Sequence, residues 1–151
     1  MSTSHPRNNI RMKKHRKLIK QPKYSVAKDR AWKAFSKFIR VRDEQDGCYT
    51  CGVVKPYKSM QAGHWIQGRH NSILFDERGC HSQCYHCNVG LKSNPVKYYD
   101  RMLKDYGIKV CEELKELDTQ IKEYKVYELL EIESKYKTKL AEIKEWKTRF
   151  A

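Results

Sequence analysis

Apolar residues recur at helical spacing in three stretches of this chain and alternate in one. In VAKDRAWKAFSKFIRVRD, Ala31, Trp32, Phe35, Phe38 and Ile39 fall three and four apart, which predicts an amphipathic helix whose stripe faces a core. Ser25 is its expected N-cap, and Gly47 ends the connection that follows. MQAGHWI, residues 60–66, alternates as a strand does, so Met60, Ala62, His64 and Ile66 share a face. SILF, residues 72–75, reads as a second short strand across the polar loop QGRHN. From about Cys84 the chain can turn helical, which would set Asn88 and Lys92 one turn apart. Asn94-Pro95 opens a further helix that closes at Gly107. Residues 109–151 contain no Gly or Pro. Leu114, Leu117, Ile121, Tyr124, Val126, Leu129, Tyr136, Leu140 and Ile143 keep the helical period there, with Glu133 as the polar exception. A break is expected between Asp118 and Tyr124. The stripe is either one side of a helical hairpin packed on the domain or the seam of a homodimer.

Charge adds a partner to this outline. The 151 residues suffice for one modest domain and carry a net charge of +14. Residues 1–42 hold 14 Lys/Arg and one acid, Asp29, whereas the remaining residues hold 18 Lys/Arg and 17 acids. A balanced body with a cationic arm suits a phosphate backbone. Residues 1–24 lack an apolar period and read as a disordered basic arm, with Lys13, Lys14, Arg16 and Lys17 as candidate DNA contacts. The plainer alternative is a tail that only keeps the protein soluble. The first residues lack the apolar stretch of a signal peptide, and no run approaches the ~18–20 apolar residues of a membrane span. A reducing compartment is therefore expected, and the six cysteines are better read as thiols than as cystines.

The cysteines carry the chemistry. Cys48 and Cys51 form one Cys-x-x-Cys pair and Cys84 and Cys87 another. Four thiolates in two pairs are the ligand set of a tetrahedral structural Zn²⁺. About 45 residues bury too little apolar surface to hold two short strands without such a staple. Cys80 stands close enough to Cys84 to compete as a ligand, while Cys111 lies in a helical pattern as a small buried residue. His64, in AGHW, lies in the loop that the pairs tie off, and Asn88 directly follows the last cysteine. That order is the pattern of an HNH-type nuclease.

The strings FSKFIRVRDEQDGCYTCG, QAGHWIQGRHN, FDERGCHSQCYHCN and YYDRMLKDYG resemble the NinG (Rap) family of lambdoid phage recombination proteins over roughly residues 30–110. The zinc-bracketed layout is also similar to junction-resolving phage endonucleases of the ββα-metal class. The resemblance implies a structure-specific endonuclease that hydrolyses phosphodiesters in branched DNA, such as Holliday junctions and D-loops, with a divalent metal. A phage origin implies work in the cytoplasm of the bacterial host. Two readings from other classes stand beside it: a non-catalytic zinc module that binds DNA, and a sequence-specific HNH nicking or restriction enzyme.

Phosphodiester hydrolysis needs a base, a cation and ligands for that cation at one phosphate. His64 is the expected base, since a neutral imidazole accepts a proton near physiological pH. Asn88 is the expected ligand for Mg²⁺ or Mn²⁺ through its side-chain oxygen. The chain departs from the commoner HNH pattern at Gly63, where many relatives place an acid, and at Gly79, where many place a middle asparagine. His81 is then a candidate catalytic residue or metal ligand, with structural zinc as its alternative, and Asp76 is the spare carboxylate. Arg69, His70, Arg78 and Lys92 are candidate phosphate contacts, and Trp65 reads as core. The expected fold class is α+β and mostly helical: a small zinc-stabilised ββα-metal (HNH-like) core flanked by helices. The arm spans 1–24, the first helix and nuclease core 25–107, and the C-terminal helical segment 108–151.

Overall fold

The structure, a computed structural model, describes residues 20–151. The first periodic stretch forms helix α1, Tyr24–Arg42, with Ala27, Ala31, Ala34, Phe35, Phe38 and Ile39 buried along one face. The helix begins one residue before Ser25, so Lys23 stands at the N-cap and makes no side-chain capping bond. Arg40 and Arg42 lie in the last turn, where they complement the carbonyl end of the helix dipole.

Two strands follow, β1 at Met60–His64 and β2 at Cys80–Cys84, paired antiparallel with His64 opposite Cys80 and Gly63 opposite His81. The expected strand at 72–75 is not one. Asn71–Leu74 is a single helical turn, α2, that buries Ile73 and Leu74. A short apolar run such as Ile73–Phe75 fits a buried turn as well as a strand. The second strand is CHSQC, all five of whose residues are buried.

After Cys84 the chain makes one π turn, His86–Gly90, rather than a longer helix. Lys92, Ser93 and Asn94 then adopt left-handed backbone in succession, with φ of 48°, 70° and 49°. Lys92 therefore leaves the expected helical register with Asn88. Helix α3, Pro95–Asp118, carries a non-helical residue at Gly107 (φ 82°, ψ 168°), where the sequence predicts a stop. Helix α4, Val126–Phe150, begins after the break expected near 118–124.

Helix α4 packs lengthwise on α1. Tyr136 meets Phe35 edge-on at 4.9 Å between ring centroids, and Leu129 packs with Ala27 and Ala31. Burying a side chain such as Phe35 contributes roughly 1.5–3 kcal/mol. The α4 part of the C-terminal stripe, Leu129, Tyr136 and Leu140, is thus covered from within the chain as one side of a helical hairpin with α1. Glu133, the polar exception, is buried between Arg30 (2.9 Å) and Lys137 (2.5 Å). A second core lies on the other side of the hairpin, where Trp65, Tyr98, Met102, Cys111 and Leu114 pack together. The result is a mostly helical α+β fold with a small two-stranded sheet between helical layers. Among the described residues, no helix is long and apolar enough to cross a membrane.

Candidate active site

Both cysteine pairs converge. The Sγ atoms of Cys48, Cys51, Cys84 and Cys87 all lie within 4.8 Å of one another, with Cys51 and Cys84 3.8 Å apart. A tetrahedral zinc with Zn–S bonds of about 2.3 Å spaces its sulfurs about 3.8 Å apart. The four cysteines therefore fit a metal such as zinc. Local backbone sets up the first knuckle: Cys48 N donates to Val53 O, and Gly52 N donates to Cys48 O, both at 2.8 Å. Gly47, at φ 74°, has to be glycine, because a Cβ there would stand 2.8 Å from Val53 O. Met60 packs against Cys48, Cys84 and Cys87 and joins the cluster to the base of β1. Cys80 is not part of the cluster. It is fully buried beside Phe35 and Tyr136, and burial pushes its thiol pKa well up.

Strand β1 packs against α1, and His64 sits at the end of that strand. Its imidazole stacks on Trp32 at 5.5 Å. Its Nε2 lies 3.0 Å from Leu74 O. A carbonyl oxygen only accepts, so Nε2 carries the proton and Nδ1 keeps its lone pair. Burial lowers the His64 pKa, the Leu74 carbonyl opposes that shift, and the Arg69 charge reinforces it. The ring is thus held neutral.

His64 lines a groove of about 660 Å³ whose walls include Trp32, Arg40, Gln61, Arg69, Asn88 and Lys92. Its charged lining residues are Arg40, Arg69 and Lys92, and no carboxylate lines it among the described residues. Arg69 lies over the Trp32 ring at 4.1 Å and takes a left-handed backbone, φ 51°. Gln67 Nε2 donates to Lys92 O and ties the two cation-bearing loops together. Non-glycine residues in this region cost of the order of 1–3 kcal/mol each, and such strain gathers at functional sites.

Asn88 reaches the groove from the π turn. Its Nδ2 donates to Gln61 Oε1 at 2.7 Å, and no hydrogen bond is made to its Oδ1 among the described residues. A Cβ at position 63 would stand 2.0 Å from Gln83 Oε1 and 2.8 Å from Asn88 Oδ1. Two side-chain oxygens therefore crowd the bare Cα of Gly63, and Gln83 Oε1 is buried without a partner. These are hard neutral donors, the kind that suits Mg²⁺ or Mn²⁺. Asn88 is the one that lines the groove and would hold such a cation.

The other expected site residues lie elsewhere. His81 pairs with Gly63, one residue from His64, and neighbours along a strand point to opposite faces. His81 stacks on Tyr49 at 3.8 Å and sits 3.2 Å from Asp43 Oδ2, away from the groove. The expectation that it is catalytic or a metal ligand beside His64 is corrected by these contacts, since its ring is held by Tyr49, Asp43 and Tyr106 and does not line the groove, and it is not among the four clustered zinc-type ligands either. Asp76 is held by Arg78 at 2.8 Å and does not line the groove. The same pairing, with a 3.0 Å bond to Glu113, neutralises Arg78 as a phosphate contact. His70 pairs with Asp118 at 2.6 Å on the surface. Arg69 and Lys92 do reach the groove. Lys13, Lys14, Arg16 and Lys17 lie outside the described residues.

A model of the family described as Bacteriophage Lambda NinG protein matches residues 2–146. The chain belongs to the NinG family. Protein ninG of Salmonella phage P22 is 30% identical over 139 residues, 91% of this chain and 67% of its own length. The NinG proteins of Escherichia phage 933W and Escherichia phage lambda are 31% and 29% identical over 132 residues, 87% of this chain and 64% and 63% of theirs. The chain thus spans about two thirds of the length of these NinG relatives. No solved structure matches it.

Trp32, Arg40, Gln61 and Gln67 are groove residues that sequence reasoning passed over. Trp32 was hidden in an aromatic stripe that otherwise is core. Arg40 and Gln67 carry no local signal. Asp43 is a further omission: it accepts from Arg42 (2.5 and 2.9 Å) and from Ser82 N (2.9 Å) and contacts His81, pinning the end of α1 to β2.

Proposed function

We propose that this NinG-family protein is a metal-dependent endonuclease that hydrolyses a phosphodiester of branched DNA in the bacterial host cytoplasm, with a ββα-metal hairpin stapled by zinc. The observation that carries the reading is the state of His64. It is a neutral imidazole with one nitrogen fixed by Leu74 O and the other keeping its lone pair, at the wall of a groove whose charges are all positive.

In this mechanism the scissile phosphate enters the groove and is held by Arg69 and Lys92, with Arg40 also lining it. His64 Nδ1 accepts a proton from the attacking water. The Nε2–H···O=C bond to Leu74 keeps the ring oriented while it becomes cationic, since the carbonyl still accepts from the imidazolium. Trp32 covers one ring face and limits solvent there. Asn88 Oδ1 is the side-chain oxygen that would hold a divalent cation, and such a cation would supply Lewis-acid stabilisation of the phosphate and the leaving oxygen. The four-cysteine cluster sits at the other end of β1 and has no role in the bond-breaking step.

The test is cleavage of a four-way junction and of linear duplex of the same sequence, with and without Mg²⁺, by wild type and by His64→Ala. Selective, Mg²⁺-dependent cutting of the junction is expected, with the variant slowed ~10²–10⁴-fold and its binding and zinc content retained. Because the His64 pKa is lowered, the active neutral form persists below the usual pH 6.5, and the rate should fall only as pH drops through that lower value. The missing carboxylate favours one other reading, a zinc module that binds DNA without cutting it. A protein that binds junctions tightly and never cleaves them would establish that reading instead.

A further inference from the structure

One wall of the groove carries apolar side chains that the mechanism leaves unused. The segment from Asn88 to Ser93 gives Asn88, Val89, Lys92 and Ser93 to the lining. Within it Val89 is 48% exposed and Leu91 43%, with Gly90 between them. Singly exposed apolar residues are ordinary. These two differ in where they stand, on the same short backbone that presents Lys92 to a groove whose other charges are Arg40 and Arg69. Their support is stiff. Leu91 N donates to His86 O and Asn94 N to Leu91 O, both at 2.8 Å, and Ser93 N donates to Asn88 O at 2.9 Å. Lys92, Ser93 and Asn94 hold their left-handed backbone because side chains fix it: Gln67 Nε2 donates to Lys92 O, and the buried Gln83 donates from Nε2 to Ser93 O. Cys87 of the metal-type cluster directly precedes the segment. Backbone of this kind persists only where its surroundings over-determine it. Val89 and Leu91 therefore form a stiff apolar edge beside the cations.

We propose, resting on the reading of the groove as a DNA phosphate site, that Val89 and Leu91 are a wedge that enters the base stack at the branch point of the substrate. The faces of the bases are the apolar surface that DNA carries alongside its phosphates. A phosphate seated on Arg69 and Lys92 brings those bases to the Val89–Leu91 edge. Apolar side chains inserted between base steps unstack them in part, and the unstacking costs free energy. In continuous duplex each pair is stacked on both sides, and that cost is met in full. At a branch one strand leaves the stack, so a base there has less to lose, and the cost is least where pairing or stacking is already interrupted. The wedge thus keeps more of its contact energy on branched DNA than on linear duplex, and preference is that difference of affinities. The cations, by contrast, attract any phosphate backbone alike. The apolar edge gives the site a means of selecting shape that its charges lack.

The experiment uses full-length, zinc-loaded protein in a His64→Ala background, so that DNA stays intact. A four-way junction carries 2-aminopurine beside the branch point, and a linear duplex of the same sequence carries it at the matching position. This base is dark in the stack and bright outside it. Binding is expected to brighten the junction and not the duplex. Val89→Ala with Leu91→Ala should abolish the rise. It should also lower the ratio of junction to duplex affinity by at least about tenfold, since burying about two of the deleted carbons against a base would supply that factor. Duplex affinity and its salt dependence, set by the cations, should not change. Both side chains are exposed enough for the variant to fold, which zinc content and melting temperature check. Val89→Ile with Leu91→Met keeps the apolar bulk and should keep the preference. Val54→Ala, at a residue 65% exposed and outside the groove lining, should alter neither signal.

A junction that stays dark on binding, or a preference untouched by the double substitution, overturns the wedge, and junction cutting by wild type would then leave the nuclease reading in place. An equal loss of affinity on junction and duplex marks a general contact and overturns the shape-selecting role. A dimer in solution that the double substitution disperses, with junction preference kept, assigns the edge to a contact between copies and overturns the wedge too. If wild type neither prefers junctions nor cuts them, the nuclease reading falls with it.

Discussion

Gly63→Ala adds one methyl group to the middle of the hairpin, and its cost can be worked out from the contacts around it. The new Cβ would sit 2.0 Å from Gln83 Oε1. Relief needs a shift of more than an ångström, and Gln83 is not free to make it. Its side chain is fully buried, and its Nε2 donates to Ser93 O at 2.9 Å and Thr50 Oγ1 at 3.1 Å. Overpacking of this kind costs about 1–3 kcal/mol, and each hydrogen bond stretched or lost adds about 1 kcal/mol. Replacing glycine stiffens the unfolded chain and returns about 0.4–1 kcal/mol. The net expectation is a loss of roughly 2–3 kcal/mol, read as a lower urea midpoint at unchanged slope in zinc-loaded protein. Gln83→Ala removes the obstacle, so the double variant should be more stable than the sum of the single losses by at least about 1 kcal/mol. Asn88 Oδ1 lies 2.8 Å from the same point, so junction cleavage should fall as well. Wild-type stability in Gly63→Ala, or strict additivity in the double variant, would refute the packing argument.

Other predictions are more direct. Elemental analysis should find one zinc per chain, and Cys84→Ser, or a strong chelator, should unfold the hairpin as followed by circular dichroism, because the binding energy of a structural zinc is folding energy. The Asp43 carboxyl is raised by burial but lowered more by His81 and Arg42, to about 2 from 3.8. A depressed carboxyl stabilises the fold above its unfolded pKa, so about 2 kcal/mol should be present at neutral pH and lost as pH falls from about 4 through 2, a loss absent from Asp43→Asn in acid titrations of stability. Deleting residues 1–19 removes Lys13, Lys14, Arg16 and Lys17 together with Arg7 and Arg11. It should weaken binding to all DNA and flatten the dependence of affinity on salt while leaving the melting temperature unchanged.

Periodicity made the helices readable, because each buries one face: Ala31, Phe35 and Phe38 on α1, and Leu129, Tyr136 and Leu140 on α4. The break before Val126 and the discontinuity at Gly107 followed from the same logic. Strand β2 was not readable. Both of its faces are covered, by α1 and by α3, so Cys80, His81, Ser82, Gln83 and Cys84 show no alternation. The short run at 72–75 took its place in the reading. Paired cysteines announced the metal cluster because their spacing is local. The groove could not be foreseen in full, since it joins Trp32 and Arg40 to residues from β1 and from two later loops. His81 illustrates the limit: its distance from His64 along the chain says nothing about which side of the sheet it faces until the strand register is known.

The pairing of α1 with α4 bears on how the molecule matures. The apolar face of α1, from Ala27 to Ile39, is covered by Val126–Phe150, about a hundred residues downstream. During synthesis that face emerges early and waits without its partner until nearly the whole chain has been made. Such non-local closure is slow and leaves oily surface open to aggregation or to chaperones in the meantime. The metal-ligating loop between Cys48 and Cys87 is complete well before α4 appears. With a metal bound, the cysteine cluster would organise the hairpin first, and the last helix would then close over a scaffold already in place, so that supply of a metal such as zinc would bear on yield as much as on stability.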